Sequence, residues 1–352
     1  MSTQRWDISA SQDKIAELAL VIEGHKQTRV FVLCHNNPDP DTLASAYGFS
    51  YLLQKKFNIK SLIGYGGALT RAENKAMVNR LRIPVNRVDQ NDLNAHQRIA
   101  LIDAQPLTGN NLIESRSKRP FVVIDHHPLR KASQKAYFYD IRPDYGATST
   151  IITEYLAAAG LTPPKSVANA LFYGIKTDTN SLIRSGCKSD LHAFNYLASI
   201  SNPRVIGAIE KPALPLSYFG DLQRGLAKAI IFRDVACSFI GNVKTDSIIP
   251  ELADILLRIE GVKWSLCFGQ FDEMLVISLR SKSRTQRAGL ILKRLVGKKG
   301  SAGGHREMAG GQIPMQIMND EEKTALPSKL IARFLKLLKR ENSTSKPLVR
   351  ND

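Results

Sequence analysis

Arg29-Val-Phe-Val-Leu-Cys34 runs directly into His35-Asn36-Asn37-Pro38-Asp39-Pro40-Asp41. The first six residues form a largely apolar, β-branched run of strand length. The seven that follow are polar groups and prolines that end it. A helical pattern then occupies 42–56. A buried strand feeding a helix is the repeating unit of a parallel α/β sheet, and the unit recurs downstream. Lys60-Ser-Leu-Ile-Gly64 precedes a helical stretch over 70–81, and Arg98-Ile-Ala-Leu-Ile102 and Pro120-Phe-Val-Val-Ile124 are two more short apolar strands. Helices are expected over 148–159 and 164–174, the second opening with two prolines, which a helix start tolerates.

Asn202-Pro203, Lys211-Pro212 and Leu214-Pro215 then crowd punctuating residues together, as interdomain linkers do. Beyond them, strands are expected near 229–233, 235–240, 263–270 and 274–279, and helices near 249–258, 286–296 and 328–339. The expected class is α/β, with a mostly parallel, helix-flanked sheet over 1–200. A linker over 201–225 joins it to a smaller α+β domain over 226–340, and 341–352 is a polar, disordered tail.

The 352-residue chain holds 49 Lys and Arg against 32 Asp and Glu, a formal charge of +17. That excess favours polyanionic partners: nucleotides, nucleic acid or anionic lipid. No apolar run approaches the ~18 residues a membrane span needs, and Met1 to Lys14 lacks the apolar core of a secretory signal. A cytoplasmic protein without membrane association is the expectation. The four cysteines, Cys34, Cys187, Cys237 and Cys267, form no Cys-x-x-Cys pair and read as packing residues.

The strand ends carry the chemistry. The first delivers His35, Asp39 and Asp41; the strand ending at Ile102 delivers Asp103; the strand ending at Ile124 delivers Asp125-His126-His127; and a later helix-to-loop segment delivers Asp178. Taken singly, Asp103 reads as a helix N-cap, the histidines as a turn, and Asn37-Pro38-Asp39 as turn chemistry. Taken together, three βα junctions point carboxylates and imidazoles at one sheet edge, where open parallel sheets bind ligands. Clustered carboxylates repel and require cations, and oxygen donors mixed with imidazole suit Mn²⁺ or Mg²⁺.

In order, His-x-Asn-Pro-Asp-x-Asp, strand-Asp, Asp-His-His and Thr177-Asp178-Thr179, with Gly146-Ala147-Thr148-Ser149 between, resemble the motifs of the DHH phosphoesterases. Ser278-Leu279-Arg280-Ser281 and Gly303-Gly304-His305 resemble the family's DHH-associated C-terminal domain. Ala302 stands where the family often has a further glycine. The compact two-domain branch, with nano-RNases and pAp phosphatases, is the nearest in plan. The resemblance implies two divalent ions, Mn²⁺ or else Mg²⁺, one held by His35, Asp39 and Asp103 and the other by Asp41, Asp103, His126 and Asp178. It implies in-line attack of a hydroxide on phosphorus, with His127 and Asp125 as catalytic residues. Arg280, Ser281, Gly303, Gly304 and His305 would contact substrate across a cleft that closes.

The expected function is therefore metal-dependent hydrolysis of short oligonucleotides or pAp, with cyclic dinucleotides as an alternative substrate. Rival classes are a nucleotide sensor without catalysis and a nucleic-acid-binding scaffold. A homodimer is compatible with the sequence.

Overall fold

A computed structural model describes residues 6–25, 29–69, 71–113, 115, 118–183, 187–283, 285–304, 306–316 and 319–349. The chain divides into two compact units, Met1–Pro212 and Ala213–Asp352.

In the first unit the elements run α1 (Ser9–His25), β1 (Arg29–Leu33), α2 (Pro40–Phe57), β2 (Lys60–Tyr65), α3 (Ala72–Leu81), β3 (Val85–Arg87), α4 (Gln90–Asn94), β4 (Ile99–Ile102), β5 (Val122–Asp125), β6 (Phe138–Ile141), α5 (Thr148–Ala158), α6 (Lys165–Asp178), α7 (Lys188–Ile200) and α8 (Pro203–Glu210). The six strands form one sheet in the order β3-β2-β1-β4-β5-β6, and every pairing is parallel. The chain moves outward from β1 to β3, then returns to place β4 on the other side of β1. That reversal is a topological switch point, and the loops after β1 and β4 flank the crevice it opens.

Both sheet faces are covered, as uninterrupted apolar strands require. Val30, Val32 and Ile102 belong to one core with Leu18, Phe49, Leu52, Ile152, Tyr155 and Leu171, while Phe31, Leu33 and Leu101 pack with Leu93, Ile113 and Val123 in the other. Helix α2 starts where it does because Asp39 caps it, accepting from the Thr42 amide at 3.0 Å, with Pro40 as first helical residue. Helix α6 crosses α2 so closely that a Cβ on Gly174 would stand 2.4 Å from Ser149 Oγ and 3.2 Å from Asp41 Cα.

The second unit comprises α9 (Leu216–Ala227), β7 (Ile230–Phe232), β8 (Val235–Asn242), α10 (Ile248–Leu257), β9 (Trp264–Phe271), β10 (Met274–Ser281), α11 (Ala288–Val296), β11 (Ser301–Gly304), β12 (Met308–Pro314), α12 (Asp320–Leu337) and β13 (Ser345–Pro347). Its mixed sheet has the order β11-β12-β10-β9-β8-β7-β13, with β8 and β9 parallel. Apolar side chains fill both faces: Leu266, Phe268, Leu279 and Leu292 belong to one core, Ile240, Leu252 and Cys267 to another.

Several sequence expectations need correction. The stretch read as a linker, 201–225, contains the division between the two units but is mostly helix: Pro203 is the first residue of α8 and Pro215 immediately precedes α9, so these two prolines start helices. The polar tail read as disordered supplies β13, which pairs with the open edge of β7, and the Leu348 amide donates to the Ala229 carbonyl. Helix α1, for which the sequence carries no expectation, is held by buried Ile15, Leu18 and Ile22. Asp178 is the last residue of α6 rather than part of the following loop. Cys34, Cys237 and Cys267 are buried and Cys187 half-buried, and all four are free. No helix among the described residues is long and apolar enough to cross a membrane.

Gly174→Ala should crowd α6 against both α5 and α2, since the added methyl would strike Ser149 Oγ at 2.4 Å and press on Ala44 Cβ at 3.1 Å and Asp41 Cα at 3.2 Å. Overpacking of this kind costs about 1–3 kcal/mol. Urea denaturation should show a lower midpoint at unchanged slope; an unchanged midpoint would mean that the helices separate freely there.

Candidate metal centre

The crevice beyond β1, β4 and β5 gathers the acidic and imidazole side chains. Asp103 is at its middle, 3% exposed, held at φ +56° in a left-handed turn that a short polar residue tolerates. Its Oδ2 lies 3.8 Å from His35 Nε2, and its Oδ1 lies 3.7 Å from His126 Nε2. Each oxygen of one carboxylate therefore faces a different imidazole. The ligand-capable atoms of His35, Asp39 and Asp103 lie within 4.8 Å of one another, and so do those of Asp41, His126 and Asp178; Asp103 forms a further such group with Asp125, His126 and His127.

Backbone carbonyls orient the two inward-facing histidines. His35 Nδ1 is 2.9 Å from the Asn36 carbonyl, and His126 Nδ1 is 3.1 Å from that of Tyr145. A carbonyl can only accept, so the proton sits on Nδ1 and Nε2 is left to face the acids. His126 Nε2 approaches Asp178 at 3.1 Å, and His35 Nε2 approaches Asp39 at 3.8 Å. His127 differs: its Nδ1 lies 2.8 Å from Asp125, whose other oxygen accepts from Gln105 Nε2 at 2.7 Å.

The loop entering α5 braces the acids with neutral donors. The amides of Thr148 and Ser149, the first residues of α5, donate to the two oxygens of Asp41 at 2.8 and 2.9 Å, so the carboxylate sits on a helix N-terminus. Thr148 Oγ1 donates to Asp103 Oδ1 at 2.8 Å and Thr42 Oγ1 to Asp103 Oδ2 at 2.5 Å. Asp190, fully buried on α7, fixes this loop by accepting from the Gly146 and Cys187 amides, each at 2.8 Å, and from Thr150 Oγ1 at 2.5 Å. Gln105, Thr42 and Asp190 carry no sequence signature for these roles, because each acts through contacts that only the folded chain creates.

The electrostatics record the crowding. Burial and the charges of Asp103 and Asp178 push Asp41 well above the usual carboxylate range. Burial and the Asp39 charge raise Asp103 to about 6. Burial opposes protonation of His35, but the nearby carboxylates of Asp39 and Asp103 outweigh that and raise it to about 9. Burial likewise opposes the charged form of His126, yet Asp178 and Asp103 carry it well above the imidazole range. Acids that retain protons and histidines that gain them mark a site short of positive charge. Hard oxygen donors mixed with imidazole fit divalent cations such as Mn²⁺ or Mg²⁺.

In the second unit, Arg280 and Gly304 end adjacent stretches of sheet: Arg280 pairs with Met308, and Gly304 with Ala309 of the same strand, β12. Arg280 is buried, with Nε 2.6 Å from Asp254 and Nη1 2.7 Å from Ser278 Oγ, so most of its fork is already engaged. Ser281 Oγ accepts from the Ser283 amide. The glycine-rich segment forms the edge strand β11. A Cβ on Gly303 would meet nothing within 4 Å, whereas one on Gly304, at φ +143°, would strike the Met308 carbonyl at 2.4 Å. Ala302 is not among the residues of positive φ, so alanine costs nothing there. His305 lies outside the described residues. A recess of about 960 Å³ beside Arg29, Lys60 and Arg98 contains none of the candidate ligands.

The DHH family N-terminal domain matches residues 29–175 and the DHHA1 domain matches residues 233–340. The chain belongs to the DHH family. It is 33% identical over 300 residues to an uncharacterised protein of Methanocaldococcus jannaschii, covering 84% of this chain but 60% of that relative. It is 25% identical over 153 residues, 43% of this chain and 49% of the relative, to a probable manganese-dependent inorganic pyrophosphatase of Streptococcus pyogenes. The crystal structure of an exopolyphosphatase-related protein from Bacteroides fragilis has the same fold, with a TM-score of 0.72 at 18% identity over 93% of this chain and 98% of that one.

Divalent ions must displace the proton that His35 holds in the metal-free protein. His35, at about 9, still carries its proton throughout pH 6–8, so at least one proton leaves with binding. Mn²⁺ affinity should therefore rise by about tenfold per pH unit across that window. Titration calorimetry in two buffers of different ionisation enthalpy measures the release; equal heats and a pH-independent affinity would contradict it.

Proposed function

We propose that this chain is a metal-dependent phosphoesterase acting on phosphate esters of short oligonucleotides, pAp or both. The observation that carries the reading is the position of Asp103, one oxygen toward His35 and the other toward His126. A carboxylate so placed could be shared between two cations. Manganese is favoured by the donor set and by the likeness to a probable manganese-dependent inorganic pyrophosphatase of Streptococcus pyogenes.

In this reading His35, Asp39 and Asp103 hold one ion, and Asp41, Asp103, His126 and Asp178 the other. The ions would supply Lewis acidity toward a phosphoryl oxygen and acidify a water. The chain's own groups do the rest. Asp125, fixed by Gln105, holds His127 through Nδ1. Burial opposes the charged form of His127, but its hydrogen bond to Asp125 and the charge of Asp103 outweigh that and raise it. A protonated His127 with Nδ1 so engaged can give its Nε2 proton to the leaving oxygen. Ser281, Gly303, Gly304 and His305 are assigned to substrate contact. Arg280 contributes less than a free fork would, since Asp254 and Ser278 already occupy two of its nitrogens.

The test is a time course with Mn²⁺ against pAp, a linear dinucleotide, RNA and DNA pentanucleotides and a cyclic dinucleotide. Turnover of pAp or of the linear substrates is expected. His127→Asn should lower kcat by about 100-fold, with Mn²⁺ content unchanged. Turnover of the cyclic compound alone would transfer the assignment to cyclic dinucleotide hydrolysis. Binding without any turnover would replace the enzyme with a nucleotide-binding protein.

A further inference from the structure

A second feature of the first unit lies outside the candidate metal centre. A groove of about 630 Å³ is bounded by Pro106 and Leu107, by Lys118 and Arg119, and by Lys131 and Lys135. Its described lining carries these four cations and no carboxylate. None of the four enters an ion pair among the described residues.

The cations are of two kinds. Arg119 and Lys118 are anchored: Arg119 donates from Nε to the Lys135 carbonyl at 2.5 Å with its guanidinium 3.7 Å above the Tyr137 ring, and Lys118 Nζ donates to the Leu93 carbonyl at 2.8 Å. Stacking fixes the plane of the Arg119 fork while its two terminal nitrogens remain for an anion. Lys131 and Lys135 are exposed. Pro106, Leu107, Ser115, Pro120 and Ala132 complete the described lining, which offers no aromatic face on which a base would stack. Such a surface recognises phosphate rather than base and is indifferent to sequence.

The groove is tied to the proposed catalytic loops. Pro106 and Leu107 lie three and four residues beyond Asp103. Gln105 places one end of its amide on Asp125, while its Oε1 accepts from the Arg130 amide at 2.7 Å and Ser133 Oγ at 2.8 Å. One buried side chain thus fastens both the Asp125–His127 pair and the turn that carries Lys131.

We propose that this groove holds the phosphodiester backbone of an oligonucleotide substrate beyond the phosphate that reacts, extending the substrate class from dinucleotides to longer single strands. This rests on the phosphoesterase reading, and its test is separable from that reading.

The variant pair Lys131→Glu/Lys135→Glu is compared with Lys55→Glu/Lys56→Glu, which changes the charge equally at the exposed end of α2. Binding of a fluorescein-labelled pentanucleotide is followed by anisotropy in EDTA, and hydrolysis of dinucleotide and pentanucleotide is measured with Mn²⁺. The groove variant should bind about tenfold more weakly, and the slope of log affinity against log salt should fall by about 1.4. The control should stay within twofold. Hydrolysis of the dinucleotide should be unchanged while kcat/KM for the pentanucleotide falls. Equal losses in both variants, or none in either, would overturn the groove. If the wild type hydrolyses nothing yet the binding arm separates the variants, the groove stands and the catalytic reading falls.

Discussion

The structure depends on keeping several carboxylates together around Asp103 without letting them drive the loops apart. Like charges at this spacing repel strongly once water is excluded, and Asp41 and Asp103 are both nearly inaccessible. The fold meets that cost in three ways. Neutral donors from Thr42, Thr148 and the first turn of α5 hold the oxygens; imidazoles are aimed inward by backbone carbonyls; and the site is left to take up cations. A group that binds the folded chain and not the unfolded one adds its binding free energy to stability, so the cluster becomes an asset once it is filled.

Positioning follows from topology. Neighbouring parallel strands β1, β4 and β5 end side by side, so residues far apart in the chain reach one crevice without long loops. The contributions from α2, α5 and α6 then depend on close helix packing. Gly174 lets α6 lie against α2, which sets where Asp178 emerges, and Asp190 fixes the entry to α5. The network of Arg142, Asp140, Glu154 and Tyr145 secures the same loop from the other side, with Arg142 between two carboxylates at 2.7 and 2.8 Å. The Tyr145 carbonyl orients His126, so a buried ion-pair network stands one contact behind a candidate ligand.

What the sequence reveals and what it hides have physical causes. Strands such as Arg29–Leu33 and Ile99–Ile102 are legible because burial on both faces leaves an unbroken apolar run. The candidate ligands other than Asp178, which ends α6, can be named because they follow where those runs stop. Pro203 and Pro215 mislead because proline both breaks a helix and begins one, and only the following contacts decide. Strands β11 and β13 are hidden because Ser-Ala-Gly-Gly and Ser-Lys-Pro have no alternation to read; their partners, β12 and β7, create them. Gln105 and Asp190 look like ordinary polar residues until the fold buries them against the loops they hold.

The central claim is that one carboxylate joins two cations, and electron paramagnetic resonance of the Mn²⁺-loaded protein tests it most directly. The account predicts two ions per chain and the spectrum of an exchange-coupled pair, with Asp103→Ala losing the coupling. A single ion per chain, or two ions with the spectrum of isolated Mn²⁺, would contradict it.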